Sequence, residues 1–206
     1  MNRTRLSIAL SILAALAIAA SLVTTGSAQQ TPPAATPVAV GQPAPDFTLN
    51  DQDGHAVSLR SFRGKVVVLE WQNPGCPFVQ RAYGKNEMKS EAARHPASQV
   101  AWLAIDSTRD GTPQTSRDFR AAQHLTYPIL QDRDGAVARL YRARTTPHMF
   151  VIDRTGTLRY TGAIDDDPRG QSAHPRNYVG EAVDALLAGH APPVASTEPY
   201  GCGVHY

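Results

Sequence analysis

Cysteine is almost absent from this chain of 206 residues, which has only Cys76 and Cys202. Val79 stands where the second cysteine of a C-x-x-C pair starting at Cys76 would be, so a disulfide within that loop is excluded. Any dithiol chemistry must bring its second thiol from far along the chain. An excess of charge is also missing. Arg3 and Arg5 lie in an N-terminal segment free of acidic residues, and without them the 20 Lys and Arg fall to 18, level with the 18 Asp and Glu. A basic surface for nucleic acid is therefore not expected. Internal repeats and charge blocks are lacking. The only long apolar run, Leu10 to Val23, is too short and too poorly flanked to read as a membrane span.

That run does carry a message. Two arginines precede it and Gly26-Ser27-Ala28 follows with small residues, the pattern of a secretory signal peptide over residues 1–28. Removal would leave an exported protein, periplasmic or secreted, with no stable membrane association. Residues 29–42 are rich in Pro, Ala and Thr and read as a linker. Residues 43–189 then form one domain, long enough for a proper core. Residues 190–206 read as a flexible tail carrying Cys202, since Pro192, Pro193 and Pro199 prevent helix and Gly201 and Gly203 flank the thiol. Two cysteines in an exported chain suit an oxidising compartment.

Periodicity predicts an α/β domain. Phe47 to Leu49 and Ala56 to Leu59 flank the turn Asp51-Gln52-Asp53-Gly54, an N-terminal β-hairpin. Val66 to Trp71 and Val100 to Ile105 have the apolar, β-branched character of strands covered on both faces. A helix starting near Cys76 should break at Gly84 and Asn86. Helices are also expected at Ser116 to His124, at Gly135 to Arg142 with Asp134 as N-cap, and at Tyr178 to Ala188 with Asn177 as N-cap. Pro128 to Leu130 reads as a short strand. Met149 to Ile152 and Leu158 to Tyr160 read as a hairpin. Strands alternating with helices give a central mixed β-sheet with helices on both faces.

The chemistry concentrates in VVVLEWQNPGCPFV, residues 66–79. A buried strand runs into a polar loop and Cys76 stands at the mouth of a helix. There the macrodipole and the free N–H groups of the first turn stabilise a thiolate. Pro77 suits the first helical position because its missing N–H had no partner to lose. Glu70 shares a strand face with Val66 and Val68, so a carboxylate falls where apolar cover is wanted. Burial would raise its pKa toward a range useful for moving protons.

These segments resemble the thioredoxin-like superfamily, in particular exported redoxins of the alkyl hydroperoxide reductase and thiol-specific antioxidant group. The resemblance spans Val40 to about Gly189 and rests on VGQPAPDFTL, GKVVVLEW, the cysteine at the strand-to-helix turn, and TTPHMFVID followed by Gly-Thr-Leu. It implies a thioredoxin-like fold. It also implies a cis peptide before Pro147 packed against Cys76, and a backbone edge on which an extended substrate can pair. Glu70, six residues before Cys76, matches the place of the buried Asp of thioredoxins. Trp71, Pro77, Thr146 and His148 are expected to border the substrate.

Departures from the pattern matter equally. A peroxiredoxin would have Pro and Thr seven and three residues before its reactive cysteine, where this chain has Leu69 and Asn73. The reading is therefore a thiol-disulfide oxidoreductase in which Cys76 attacks and Cys202 resolves. It uses no cofactor and acts on protein or small-molecule thiols and disulfides with an unidentified redox partner. Alternatives are a thiol peroxidase, a non-catalytic binding module with a permanent disulfide, and a copper-handling protein. Cys76, Cys202, His148 and His205 would be the soft ligands of that last class, though no compact spacing supports them and metal binding is not expected. Asp165-Asp166-Asp167, with Arg169, His174 and Arg176, reads as a solvated insertion or as a frame for the substrate cleft.

Overall fold

In the computed structural model, which describes residues 38–205, the chain runs β1 (Thr48–Asn50), β2 (Ala56–Ser58), β3 (Val66–Gln72), α1 (Pro77–Gly84), α2 (Glu87–Ala93), β4 (Val100–Asp106), α3 (Pro113–Gln123), β5 (Ile129–Gln131), α4 (Ala136–Tyr141), β6 (Thr145–Thr146), β7 (His148–Ile152), β8 (Leu158–Gly162), α5 (Tyr178–Leu187) and β9 (Cys202–Gly203). The expected signal segment and most of the expected linker lie outside the described residues. No described helix is long and apolar enough to cross a membrane.

β3 and β4 are buried along their whole length, as their unbroken apolar character requires. They pair in parallel, β5 extends that parallel row, and β7 lies antiparallel on the other side of β3. The full order is β2-β1-β5-β4-β3-β7-β8, a mixed seven-stranded sheet with the N-terminal hairpin at one edge. Strand alternation sends Val66 and Val68 to a core shared with α1, α2 and α5, and Val67, Leu69 and Trp71 to a second core covered by α4.

Local chemistry sets the helix ends. Asn86 has φ +64°, and this left-handed residue separates α1 from α2 where Gly84 had already weakened the helix. Asn177 caps α5 by accepting from Gly180 N–H. α4 differs from expectation at its start. Gly135 holds the N-cap position with φ +64°, and the buried Asp132 carboxylate accepts from the N–H groups of Val137 and Ala138, while Asp134 accepts from Ala136.

Two segments read as loose are seated. Gly41 N–H donates to Leu158 O, Leu158 N–H donates to Gln42 O, and Val38 and Val40 pack on the second core, so residues 38–42 belong to the domain. The C-terminal tail is also docked. Thr197 N–H donates to Thr161 O, and β9 pairs antiparallel with β6. Tyr200 and Cys202 pack on one core and Val204 on the other. Prolines keep the tail from being helical, and burial of these side chains then holds it.

Candidate active site

Three pieces of chain meet at Cys76: the end of β3, the β6–β7 junction and the tail. β3 delivers the chain into Asn73-Pro74-Gly75. There Asn73 Oδ1 accepts from Gly75 N–H and Asn73 O from Cys76 N–H, a local turn that aims Cys76 into the start of α1. Cys76 is the N-cap of α1 and Pro77 its first residue, as expected. The Thr146–Pro147 peptide is cis, and the Thr146 carbonyl oxygen lies 3.0 Å from Cys76 Sγ. From the other side β9 sets Cys202 opposite Thr146, and the two sulfurs, both free thiols, are 2.7 Å apart.

The pair is electrostatically unequal. Burial opposes ionisation of Cys76. The Cys202 thiol and the backbone N–H groups of Val79 and Cys202, turned toward the sulfur, overcome it and hold the Cys76 thiol below its ordinary value. Burial comes first for Cys202 too, and the adjoining Cys76 adds to it, pushing Cys202 up to about 11. The two sulfurs titrate as a pair, and the first proton leaves from Cys76. The Thr146 carbonyl works against this, since its oxygen is an acceptor for the thiol form only.

Cys76 is 1% exposed, whereas Cys202 is half-buried. The tail is what covers Cys76. Tyr200 OH donates to Asp165 Oδ1 at 2.5 Å, and its ring lies 6.1 Å from Phe78 with the Arg81 guanidinium 5.9 Å away. Arg144 pairs with Glu198 at 2.9 Å. Asp165 and Asp167 are buried and Asp166 is exposed; Asp165 holds the tail through Tyr200, while Asp167 accepts from Gln171 and Ser172 N–H within its own loop.

Glu70 lies fully buried on the strand face shared with the Cys76 core. Trp102 Nε1–H and Tyr83 O–H each donate to it at 2.7 Å, and Tyr127 O–H is 3.0 Å from the Tyr83 oxygen. Burial pushes its pKa up to about 7, against these hydrogen bonds. Its hydrogen bonds run to the aromatic groups and not to either sulfur.

Trp71 and His148 lie apart from Glu70 in the sheet. Both are buried on the opposite sheet face, paired across β3 and β7, because strand alternation sends position 71 away from positions 70 and 72. Trp71 Nε1–H donates to Ser107 Oγ. His148 stacks on Phe150 at 4.4 Å, accepts from Arg144 N–H at Nδ1 and donates from Nε2 to Thr161, and burial pushes its pKa down to about 3. Their hydrogen bonds run to Ser107, Arg144 and Thr161 and to neither sulfur. Cys76, Cys202, His148 and His205 are not gathered into a ligand cluster. Among the described residues the one group with metal-ligand proximity is Asp51, Asp53 and His55 in the β1–β2 turn. Sequence reasoning missed Tyr83, Trp102, Tyr200 and the buried Gln72, whose side-chain amide has no hydrogen-bond partner. Only the aromatic Tyr200 beside Gly-Cys-Gly offered a signal.

The profile of the AhpC/TSA family matches residues 40–161. The thiol-disulfide oxidoreductase ResA of Geobacillus kaustophilus is 34% identical over 125 residues, 60% of this chain and 69% of that protein. A putative peroxiredoxin of Mycobacterium tuberculosis is 30% identical over 131 residues, 62% of this chain and 78% of that protein. Among solved structures, a hypothetical protein of Sinorhizobium meliloti superposes with a TM-score of 0.71 at 26% identity, covering 82% of this chain and 95% of that one.

Proposed function

The chain belongs to the AhpC/TSA family, and from that premise we propose that it is an exported thiol-disulfide oxidoreductase with Cys76 as nucleophile and Cys202 as resolving thiol. The observation that carries this reading is the contact of two free thiols of unequal acidity, Sγ to Sγ at 2.7 Å. In the reductive direction the Cys76 thiolate attacks a substrate disulfide and releases one substrate thiolate. Cys202 then gives up its proton and attacks Cys76 Sγ, releasing the second thiolate and leaving the Cys76–Cys202 disulfide. Two electrons and two protons pass to the substrate. Glu70, with a pKa near neutrality, serves as a proton store behind the site. Export rests on the pattern of residues 1–28, and the substrates are thiols and disulfides of proteins or small molecules.

Cys202→Ser tests the reading. The variant should still attack a model disulfide and then stall as a mixed disulfide on Cys76, seen by mass spectrometry, with multiple turnover reduced about a hundredfold or more. Turnover equal to the parent, with no Cys76–Cys202 link in the oxidised parent, would sink the two-cysteine mechanism. The likeness to a putative peroxiredoxin favours a thiol peroxidase as second reading. It predicts faster oxidation of Cys76 by hydrogen peroxide than by disulfides, which the same assay compares.

A further inference from the structure

The tail does more than carry a thiol. β9 is a strand added to the edge of β6, and β6 is the segment whose Thr146 carbonyl touches Cys76 Sγ. Main-chain pairing of this kind is the way proteins hold extended peptides, and here the peptide is the chain's own. Gly201 makes the fit possible. Its φ is +145°, and a Cβ there would stand 2.1 Å from the Thr146 carbonyl oxygen, so no side chain can be accommodated. Tyr200 is fastened by its hydrogen bond to Asp165 and by packing beside Phe78, with the Arg81 guanidinium over both rings. With this strand in place Cys76 is closed to solvent at 1% exposure, while Cys202 stays partly open.

We propose that β9 gates Cys76, so that an external dithiol reductant exchanges with the oxidised protein at the Cys202 sulfur and Cys76 is the leaving group. This rests on the dithiol reading above and assigns its outward step. The reductant thiolate attacks Cys202 Sγ, the Cys76–Cys202 bond breaks, and the electron pair departs on Cys76. The second reductant thiolate then attacks its own sulfur in the mixed disulfide. That forms the reductant disulfide and frees Cys202, which takes a proton. The reductant loses two electrons and two protons; the protein gains both electrons and the proton on Cys202, and the second proton goes to Cys76 or, while Cys76 stays a thiolate, to solvent. Leaving-group chemistry agrees with access, because the sulfur that ionises more readily departs faster and that sulfur is Cys76. Substrate reaches Cys76 only when β9 lifts from β6.

The full chain, oxidised to the intramolecular disulfide, is mixed with glutathione, quenched in acid within the first turnover and mapped by mass spectrometry. The expected product has glutathione on Cys202 and a free thiol on Cys76, in about tenfold excess over the reverse adduct. Glutathione predominantly on Cys76 overturns the proposal. Gly201→Ala gives the second arm, since its added methyl opposes docking of β9. In the reduced variant, at a pH where Cys76 is ionised in both proteins, iodoacetamide should alkylate Cys76 about tenfold faster than in the parent. An unchanged rate removes the gate. A parent that forms no Cys76–Cys202 disulfide under oxidation overturns the dithiol reading and this proposal together. A disulfide that forms but is opened at Cys76 overturns the proposal alone.

Discussion

Glu70 shows how one buried carboxyl makes stability depend on pH. Burial holds its pKa at about 7 in the folded protein against an ordinary value of 4.5, so the native state keeps a proton that the unfolded chain gives up between those values. Its contribution is fully present below pH 4.5 and is lost as pH rises to 7, roughly 3 kcal/mol in all. In Glu70→Gln the amide oxygen still accepts from Trp102, and the Tyr83 hydroxyl turns to accept from the new N–H. Denaturant titrations at pH 4.5 and 8 should therefore show the parent losing roughly that much more stability than the variant. Equal losses would place the Glu70 proton elsewhere. The importance of Glu70 was legible because a lone carboxylate interrupts an apolar strand. Its partners were not, since Tyr83 and Trp102 lie 13 and 32 residues away and look like ordinary core aromatics until the sheet and α1 bring them over it. Trp71, next in sequence, falls on the opposite face with Val67 and Leu69, as strand alternation requires.

At the scale of elements, the helix break at Gly84 and Asn86 and the placement of Cys76 before Pro77 were written locally, in backbone preferences that act over a few residues. The docking of the tail was not. Proline and glycine report which backbone shapes are excluded, and the tail's attachment to β6, Thr161 and Asp165 is decided by residues 35 or more positions away. Tyr200 tests this attachment without altering either sulfur. Tyr200→Phe keeps the ring near Phe78 and Arg81 and removes the hydrogen bond to Asp165, a charge-assisted bond worth about 1.5–3 kcal/mol. The open fraction of the tail should rise about tenfold or more, and the alkylation rate of Cys76 in the reduced protein with it. An identical rate in the two proteins would mean that the Asp165 contact does not hold β9 down.

Across the whole molecule, alternating strands and helices identified the α/β class, and the two fully apolar runs identified the central strands. The order β2-β1-β5-β4-β3-β7-β8 has no such local mark, because strand neighbours are chosen by packing after the chain has collapsed. The distance between the cysteines turns that topology into a stability prediction. A Cys76–Cys202 disulfide joins residues 126 apart, and in the chain-entropy model closing a loop of that length is worth about 5 kcal/mol against the unfolded state. The folded state is already arranged for it, since β9 is paired with β6 and the sulfurs are in contact while both are thiols. Little native reorganisation should offset the entropic gain. Oxidation should raise the Tm by about 10 °C or more, given about 2–4 °C per kcal/mol for a protein of this size. Scanning calorimetry of the oxidised and reduced protein, with Cys202→Ser as a control that should not respond to oxidant, measures the difference. A Tm that stays level or falls on intramolecular oxidation would mean that closing the bond strains the native site by as much as it restrains the unfolded chain. The disulfide would then be readily reduced, and the resting protein would be the dithiol.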